Sequence, residues 1–179
     1  AVDVVNAIPA EKEIIFAPDK NLGMYVQKVT GRPLLLWDGA CIVHVNISQD
    51  KLAQLQINHP NATLIAHPEC LPAILEKASF IGSTKALIEF VTKDAAQEYI
   101  VATEAGILYK MKQAVPHKKI IPAPAVESNS CACSECPYMK MNTLEKIYNA
   151  LYYEVPAIQI APGVHDRALK ALNNMLTIA

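Results

Sequence analysis

The sequence predicts an α/β fold of short parallel sheets covered by helices on both faces. Three observations predict it. Short apolar runs alternate with helical patterns along most of the chain, which is the signature of βαβ units. Polar residues gather at the C-terminal tips of those runs, at Asp19, Cys41, His67, Glu69, Ser83, Thr84, Thr103 and Glu104. Parallel α/β folds keep their ligand sites beyond those tips. Finally, one order of features recurs: strand, acidic tip, glycine, helix, strand, loop, cysteine. The two copies read IFAPDKNLG…LLLWDGAC and IVATEAGILYK…KIIPAPA…C. They align Asp19 with Glu104, Gly23 with Gly106 and Cys41 with Cys136. Two units that each deliver one cysteine fit a pseudosymmetric assembly around a shared metal site. A third copy with a third cysteine would lie upstream of Ala1.

The elements follow in order. Residues Ala1 to Ile8 have helical apolar spacing and stop at Pro9. Glu13 to Asp19 is a short buried strand with a polar tip. Asn21 to Gly31 reads as a helix closed by Gly31. Pro33 to Cys41 is a second strand leading into a loop with Gly39. Ser48 can cap a helix over Gln49 to Asn58. A third strand, Thr63 to Glu69, precedes a short helix (Leu71 to Ala78), a strand (Phe80 to Thr84) and a helix (Lys85 to Lys93). Glu98 to Gly106 is a strand, Ile107 to Val115 a helix, and Lys118 to Pro124 the last strand of the sheet. Polar VESNS then leads to the cysteine-rich stretch CACSECPYMKMN. A helix over Asn142 to Tyr153, an edge strand over Ala157 to Ile160 and a closing helix over Gly163 to Ile178 complete the expectation.

Composition narrows the function classes. Apolar residues make up 52% of 179, enough for a sizeable core, and the net charge is −1 with scattered cations. That balance excludes a nucleic-acid or polybasic membrane partner. No apolar run approaches the ~18 residues of a spanning helix, and no signal-peptide pattern is present. Five cysteines are an odd number in a chain with ample core. They read as reduced thiols with chemistry to do, in a cytoplasmic setting. The chain begins at Ala1 rather than Met, and its first residues read as the end of a helix, so a piece of a longer protein is expected.

Three groups of residues point to chemistry. Cys131, Cys133 and Cys136 lie within six residues ahead of a helix signal, where a helix N-terminus would favour a thiolate. His67 and Glu69 sit two apart on a strand tip, so both can face one side, with Pro68 stiffening the link. A histidine–carboxylate pair suits proton transfer near neutral pH. Gly82-Ser83-Thr84 opens a helix and offers amides and hydroxyls to an anion, although ordinary capping uses the same residues. His44, three residues after Cys41, is either part of the site or a solvated loop histidine. His59 and His165 read as partnerless surface residues, and Lys110 and Lys112 as a solvated helix face.

FAPDKNLG, GACIVH, HPE, GST, ATEAGILYKM and CSECPYMKMN, in this order, closely resemble the C-terminal half of the bacterial quinolinate synthase family. The resemblance spans essentially the whole chain. It implies pseudosymmetric three-layer α/β/α modules with short parallel sheets, of which this chain holds about one and a half. It also implies a [4Fe–4S] cluster to which each of three modules gives one cysteine, leaving one iron open. The implied reaction condenses iminoaspartate with dihydroxyacetone phosphate to quinolinate, releasing phosphate and water, on the route to NAD. Carried over by motif, Cys41 and Cys136 are cluster ligands. His67 and Glu69 handle substrate and protons, with His44 in the same cavity. Ser83 and Thr84 bind substrate carboxylate or phosphate. Asp19, Thr103, Glu104 and Asn142 also stand at family-like positions. Cys133 occupies a position that is often cysteine without being a ligand. Cys131 is displaced from the family pattern, which has a further cysteine in some members where this chain has Ser130. The first ligand, with that half's substrate-binding tyrosine and serine, belongs to the missing N-terminal half. That half is therefore an expected partner, as is transient contact with L-aspartate oxidase.

The implied domains are 1–60, the C-terminal half of the middle module; 61–155, the third module with the cysteine cluster; and 156–179, a closing strand and helix. Two other classes stay open: a small iron–sulfur electron carrier, and a non-catalytic α/β module that binds zinc or an iron–sulfur cluster. Against the first, the chain shows no four-cysteine run. Against zinc, no second ligand pair lies near the cysteine stretch, and His117 and Cys70 are poorly spaced to serve.

Overall fold

A computed structural model describes residues 1–126 and 134–178. Cys131 and Cys133 lie outside the described residues. The chain opens with α1 (Val2–Ala7), β1 (Ile15–Phe16), α2 (Lys20–Thr30) and β2 (Leu35–Leu36). It continues with α3 (Ile42–Val45), α4 (Gln49–Asn58), β3 (Thr63–Ala66), α5 (Pro72–Leu75) and β4 (Phe80–Ile81). Next come α6 (Thr84–Lys93), β5 (Glu98–Ala102), α7 (Ile107–Ala114) and β6 (Lys119–Pro122). A 3-10 turn at Met139–Met141 precedes α8 (Leu144–Tyr153) and α9 (Pro162–Leu176).

Among the described residues every pair of named strands is parallel, and one isolated antiparallel bridge joins Ile47 to Ala125. β1 pairs with β2, and the larger sheet has the order β4-β3-β5-β6. Its strands are apolar on both faces because helices cover both. Leu64, Ala66, Ile100 and Ala102 point to one side and pack with Leu52 of α4 and Ile74 of α5. Ile65, Tyr99 and Val101 point to the other and pack with Leu87 and Val91 of α6 and Leu108 and Met111 of α7. Phe16 of β1 and Leu34, just before β2, pack against Val5 of α1 and Val26 of α2. Ser48, Ser83 and Thr143 cap α4, α6 and α8 through their hydroxyls, and Gly31 closes α2 at φ 69°.

The chain runs from β3 outward to β4, then back across β3 to β5. The sheet order therefore reverses between β3 and β5, and a crevice opens beyond their C-terminal ends. A bond from the His67 amide to the Ala102 carbonyl, 3.0 Å, carries the pairing one step past the ladder. It holds the exits of the two strands side by side.

Several expectations need correction. The edge strand over Ala157 to Ile160 does not form: that segment pairs with no strand among the described residues, and an isolated apolar run cannot supply its own ladder. The strands of the small sheet are two residues each, and among the described residues they pair with one another alone. Helix α3, which carries His44, was not foreseen. His59 is not partnerless: its Nδ1 lies 2.6 Å from Glu98 Oε1, which also takes Lys119 Nζ at 2.6 Å. His165 Nδ1 likewise lies 3.1 Å from Asp166 Oδ1. No helix among the described residues is long and apolar enough to cross a membrane.

Gly23 is where α2 meets the small sheet. A Cβ there would stand 3.0 Å from Phe16 Cδ1 and closer still to Leu36 Cδ2. Gly23→Ala is therefore expected to cost about 1–3 kcal/mol of stability through overpacking, read from the urea midpoint of the variant against wild type. An unchanged midpoint would mean α2 can slide.

Candidate functional site

One cavity of about 750 Å³ opens beyond the C-terminal ends of β3 and β5. Cys41, His44, His67, Glu69, Thr84, Thr103, Glu104 and Cys136 all line it. The strand tips that the sequence marked as polar thus converge on one space. Val43, Ile88, Ile107 and Met139 supply apolar wall.

His67 and Glu69 reach the cavity from the turn after β3 rather than from the strand itself. The turn is closed by Cys70 N–H donating to the His67 carbonyl at 3.0 Å. Glu69 Oε2 lies 3.1 Å from His44 Nδ1 and 3.9 Å from His67 Nδ1. The two imidazoles stack with centroids 4.7 Å apart. The other ring nitrogen of His44, Nε2, is 3.1 Å from Thr103 Oγ1, a buried hydroxyl at the exit of β5. His44 is 6% exposed, so it is no solvated loop residue. Its Nε2 is paired with the Thr103 hydroxyl, and its Nδ1 faces the Glu69 carboxylate at ion-pair distance.

These contacts set the charge states. The hydrogen bond from His44 holds the Glu69 carboxyl below its ordinary range. Burial opposes this, and the charge of His67 adds to the lowering. Burial pushes the His67 imidazole below its ordinary value, and the neighbouring His44 adds to the shift, against the opposing pull of Glu69 and Asp19. Glu69 is therefore kept ionised and His67 kept neutral near pH 7. Glu69 N–H donates to His67 Nδ1 at 3.4 Å, which leaves Nε2 as the protonated nitrogen.

The two cysteines arrive differently. Cys41 stands just before α3, and its amide donates to Asp19 Oδ2 at 2.7 Å. Cys136 follows Ser134, whose Oγ donates to the Ala123 carbonyl at 3.0 Å and whose own carbonyl accepts from Ala105 N–H at 3.0 Å. Ser134 is buried, at φ 55°. These bonds fold the chain after β6 back onto the exit of β5. The Cys136 amide donates to Glu104 Oε1 at 3.3 Å. A helix N-terminus does not stand behind Cys136 as expected: a 3-10 turn follows it, and α8 begins only at Leu144.

Cys41, His44 and Glu69 each offer one ligand atom, all within 4.8 Å of one another, so this corner can hold a metal ion. Cys70 cannot compete. It is fully buried, its Sγ donates to the Ala102 carbonyl at 3.2 Å, and burial pushes its thiol up to about 12. Thr84 lines the cavity, whereas Ser83 is turned to accept from Ala86 N–H at 3.3 Å and caps α6. Asn142 is exposed, its Nδ2 donating to the Met139 carbonyl. Sequence reasoning missed Ser134, and it set aside Lys110, which lines the cavity with Lys85. Lysine spacing on an exposed helix carries no signal of what lies opposite. A lone serine between two cysteines carries none of its backbone geometry.

The family model described as "Quinolinate synthetase A protein" matches residues 1–177. Curated proteins named "Quinolinate synthase" align along the whole chain. The one from Rippkaea orientalis is 48% identical over 179 residues, covering 100% of this chain and 54% of that protein. The one from Trichodesmium erythraeum is 50% identical over 179 residues, covering 100% and 55%. The one from a Nostoc species is 49% identical over the same span, covering 100% and 55%. The chain thus spans about half the length of the curated relatives it matches.

The metal-free protein should lose stability on acidification. A His67 depressed by its folded surroundings takes up its proton more readily when unfolded, so the unfolded chain binds more protons below about 6.5. Glu69 adds the same sign at lower pH, where its depressed carboxyl begins to protonate. Melting temperature should fall from pH 7 toward pH 5, and His67→Gln should flatten the upper part of that fall. A fall of equal slope in the variant would place the acid sensitivity elsewhere.

Proposed function

The chain belongs to the Quinolinate synthetase A family, and from that membership we propose that it is the C-terminal half of a quinolinate synthase. The whole enzyme, on this reading, condenses iminoaspartate with dihydroxyacetone phosphate to quinolinate, with release of phosphate and water, in the making of NAD. The observation that carries the reading is the shared cavity, lined by both Cys41 and Cys136 together with His67 and Glu69.

The donor set suits an iron–sulfur cluster completed from outside. Two partly exposed thiols face one space, and the buried thiol of Cys70 is unsuited to ligation. Cys41 and Cys136 would hold a [4Fe–4S] cluster with a third thiolate from the N-terminal half. When bound, its open iron supplies a Lewis acid that polarises a carboxylate or hydroxyl oxygen without electron transfer. The chain's own residues do the proton work. Glu69, kept ionised, takes a carbon-bound proton of the condensing substrates. His67 donates a hydrogen bond from Nε2–H to the departing hydroxyl, and the proton that Glu69 has taken passes to that hydroxyl as it leaves as water. His44, set between the Glu69 carboxylate and the Thr103 hydroxyl, orients Glu69 rather than touching substrate. Thr84 and the first turn of α6, fixed by Ser83, hold a substrate carboxylate or phosphate, with Lys85 and Lys110 supplying positive charge.

The partner in this reading is the N-terminal half of the same enzyme. Apolar surface for it is at hand: Ile15, Leu35 and Trp37 on the small sheet, and Leu144, Leu151 and Leu172 on α8 and α9, are solvent-exposed. The reading keeps 1–60 and 61–155 as parts of two modules and 156–179 as a closing segment, without its strand. It also keeps a cytoplasmic setting and transient contact with L-aspartate oxidase. A second reading rests on Cys41, His44 and Glu69, whose mixed donors suit a single zinc ion in a non-catalytic module.

Anaerobic reconstitution of the chain with a family N-terminal half separates the two readings. We expect iron and sulfide near four each per protein, and quinolinate formation. Cys41→Ser and Cys136→Ser should lose the cluster. Glu69→Gln and His67→Ala should keep it while kcat falls about 10²–10⁴-fold. Zinc without sulfide, and no quinolinate, would replace the first reading by the second.

A further inference from the structure

Both cysteines of the cavity are tied by their backbone amides to a carboxylate, and both carboxylates are tied to the start of a helix. Asp19 Oδ2 accepts Cys41 N–H at 2.7 Å, and its Oδ1 accepts Leu22 N–H at 2.8 Å in the first turn of α2. Glu104 Oε1 accepts Cys136 N–H at 3.3 Å, and its Oε2 accepts Gly106 N–H at 2.6 Å at the start of α7. The same bridge occurs twice, between residues 22 and 32 positions apart in the chain. A Cβ on Gly106 would stand 2.6 Å from Glu104 Oε2, so the glycine leaves room for the carboxylate. Asp19 is 3% exposed, and burying an anion is tolerated only where donors such as these satisfy it.

We propose that Asp19 and Glu104 are positioning residues, one for each cysteine, that fix the backbone from which Cys41 and Cys136 present their thiols to the cavity. This rests on the reading of those cysteines as cluster ligands. Each carboxylate has two oxygens and uses one for the cysteine and one for a helix. An amide has one carbonyl oxygen and can serve only one of the two. Asparagine caps helices as well as aspartate does, so Asp19→Asn keeps α2 capped while turning an NH₂ group toward Cys41 N–H. Glu104→Gln does the same at Cys136 and buries no new group, since Glu104 is partly exposed.

The test uses the cluster-loaded protein with both halves present. Its readouts are the rate of iron release to a chelator and the EPR spectrum of the reduced cluster. We expect Glu104→Gln to keep a near-wild-type melting temperature and Asp19→Asn to lower it, since two buried donors then face each other; both should release iron about tenfold faster and alter the EPR spectrum. Ser48→Ala removes the cap of α4, which accepts from Lys51 N–H at 3.3 Å and touches neither cysteine. It should lower the melting temperature and leave iron release as in wild type. Iron release and EPR unchanged in both carboxylate variants would overturn the inference while leaving the cluster reading intact. A wild-type protein that holds no cluster would overturn that reading and this inference with it.

Discussion

The parallel pairing of β3 with β5 is the constraint on which the site depends. Ala66 lies opposite Ala102, and the His67 amide extends the ladder to the Ala102 carbonyl. From there one strand delivers His67 and Glu69, and the other delivers Thr103 and Glu104. A one-residue slip would turn every strand side chain to the opposite face and separate these pairs. Burial protects the register. Ile65, Tyr99, Ile100 and Val101 are all at 0% exposure, and a slip would exchange the partners of both helix layers.

Around that ladder, polar contacts are spent on orientation rather than on stability. His44 is buried between Glu69 and Thr103, so it links the exits of β3 and β5 across the crevice. Each contact is individually modest, about 1 kcal/mol net. Their geometric effect is larger, because they leave the Glu69 carboxylate few orientations. The same economy explains Ser134. Its hydroxyl and carbonyl bind the exits of β6 and β5, and so they set where Cys136 stands. Lys118 plays a purely structural version of this part at the other end of the sheet. Its ammonium donates to the Val91 and Asp94 carbonyls and lies over the Tyr99 ring.

Much of this was legible in the chain. The alternation of apolar runs and helices, with polar residues at each run's end, was enough to place Cys41, His67, Glu69, Thr103 and Glu104 at one cleft. The weak repeat was legible as an alignment of Asp19 with Glu104 and Cys41 with Cys136, but its meaning was not. The bond between each carboxylate and its cysteine depends on where two loops meet after folding, which no local pattern encodes. His44 was ambiguous for the same reason: the groups around it come from elsewhere in the chain, Thr103 from 59 residues away. The aligned glycines turned out to differ. Gly106 makes room for a carboxylate, whereas Gly23 makes room for Leu36 and Phe16. Ala157 to Ile160 misled because an apolar run signals burial without naming the partner that must provide it.

The most direct test of the account is the position of iron in a crystal of the reconstituted protein with its N-terminal half, read from anomalous scattering at the iron edge. Density is expected within bonding distance of the Sγ atoms of Cys41 and Cys136, in the cavity faced by Glu69 and His67. Iron bound at Cys131 or Cys133, or at one cysteine of the pair without the other, would contradict it.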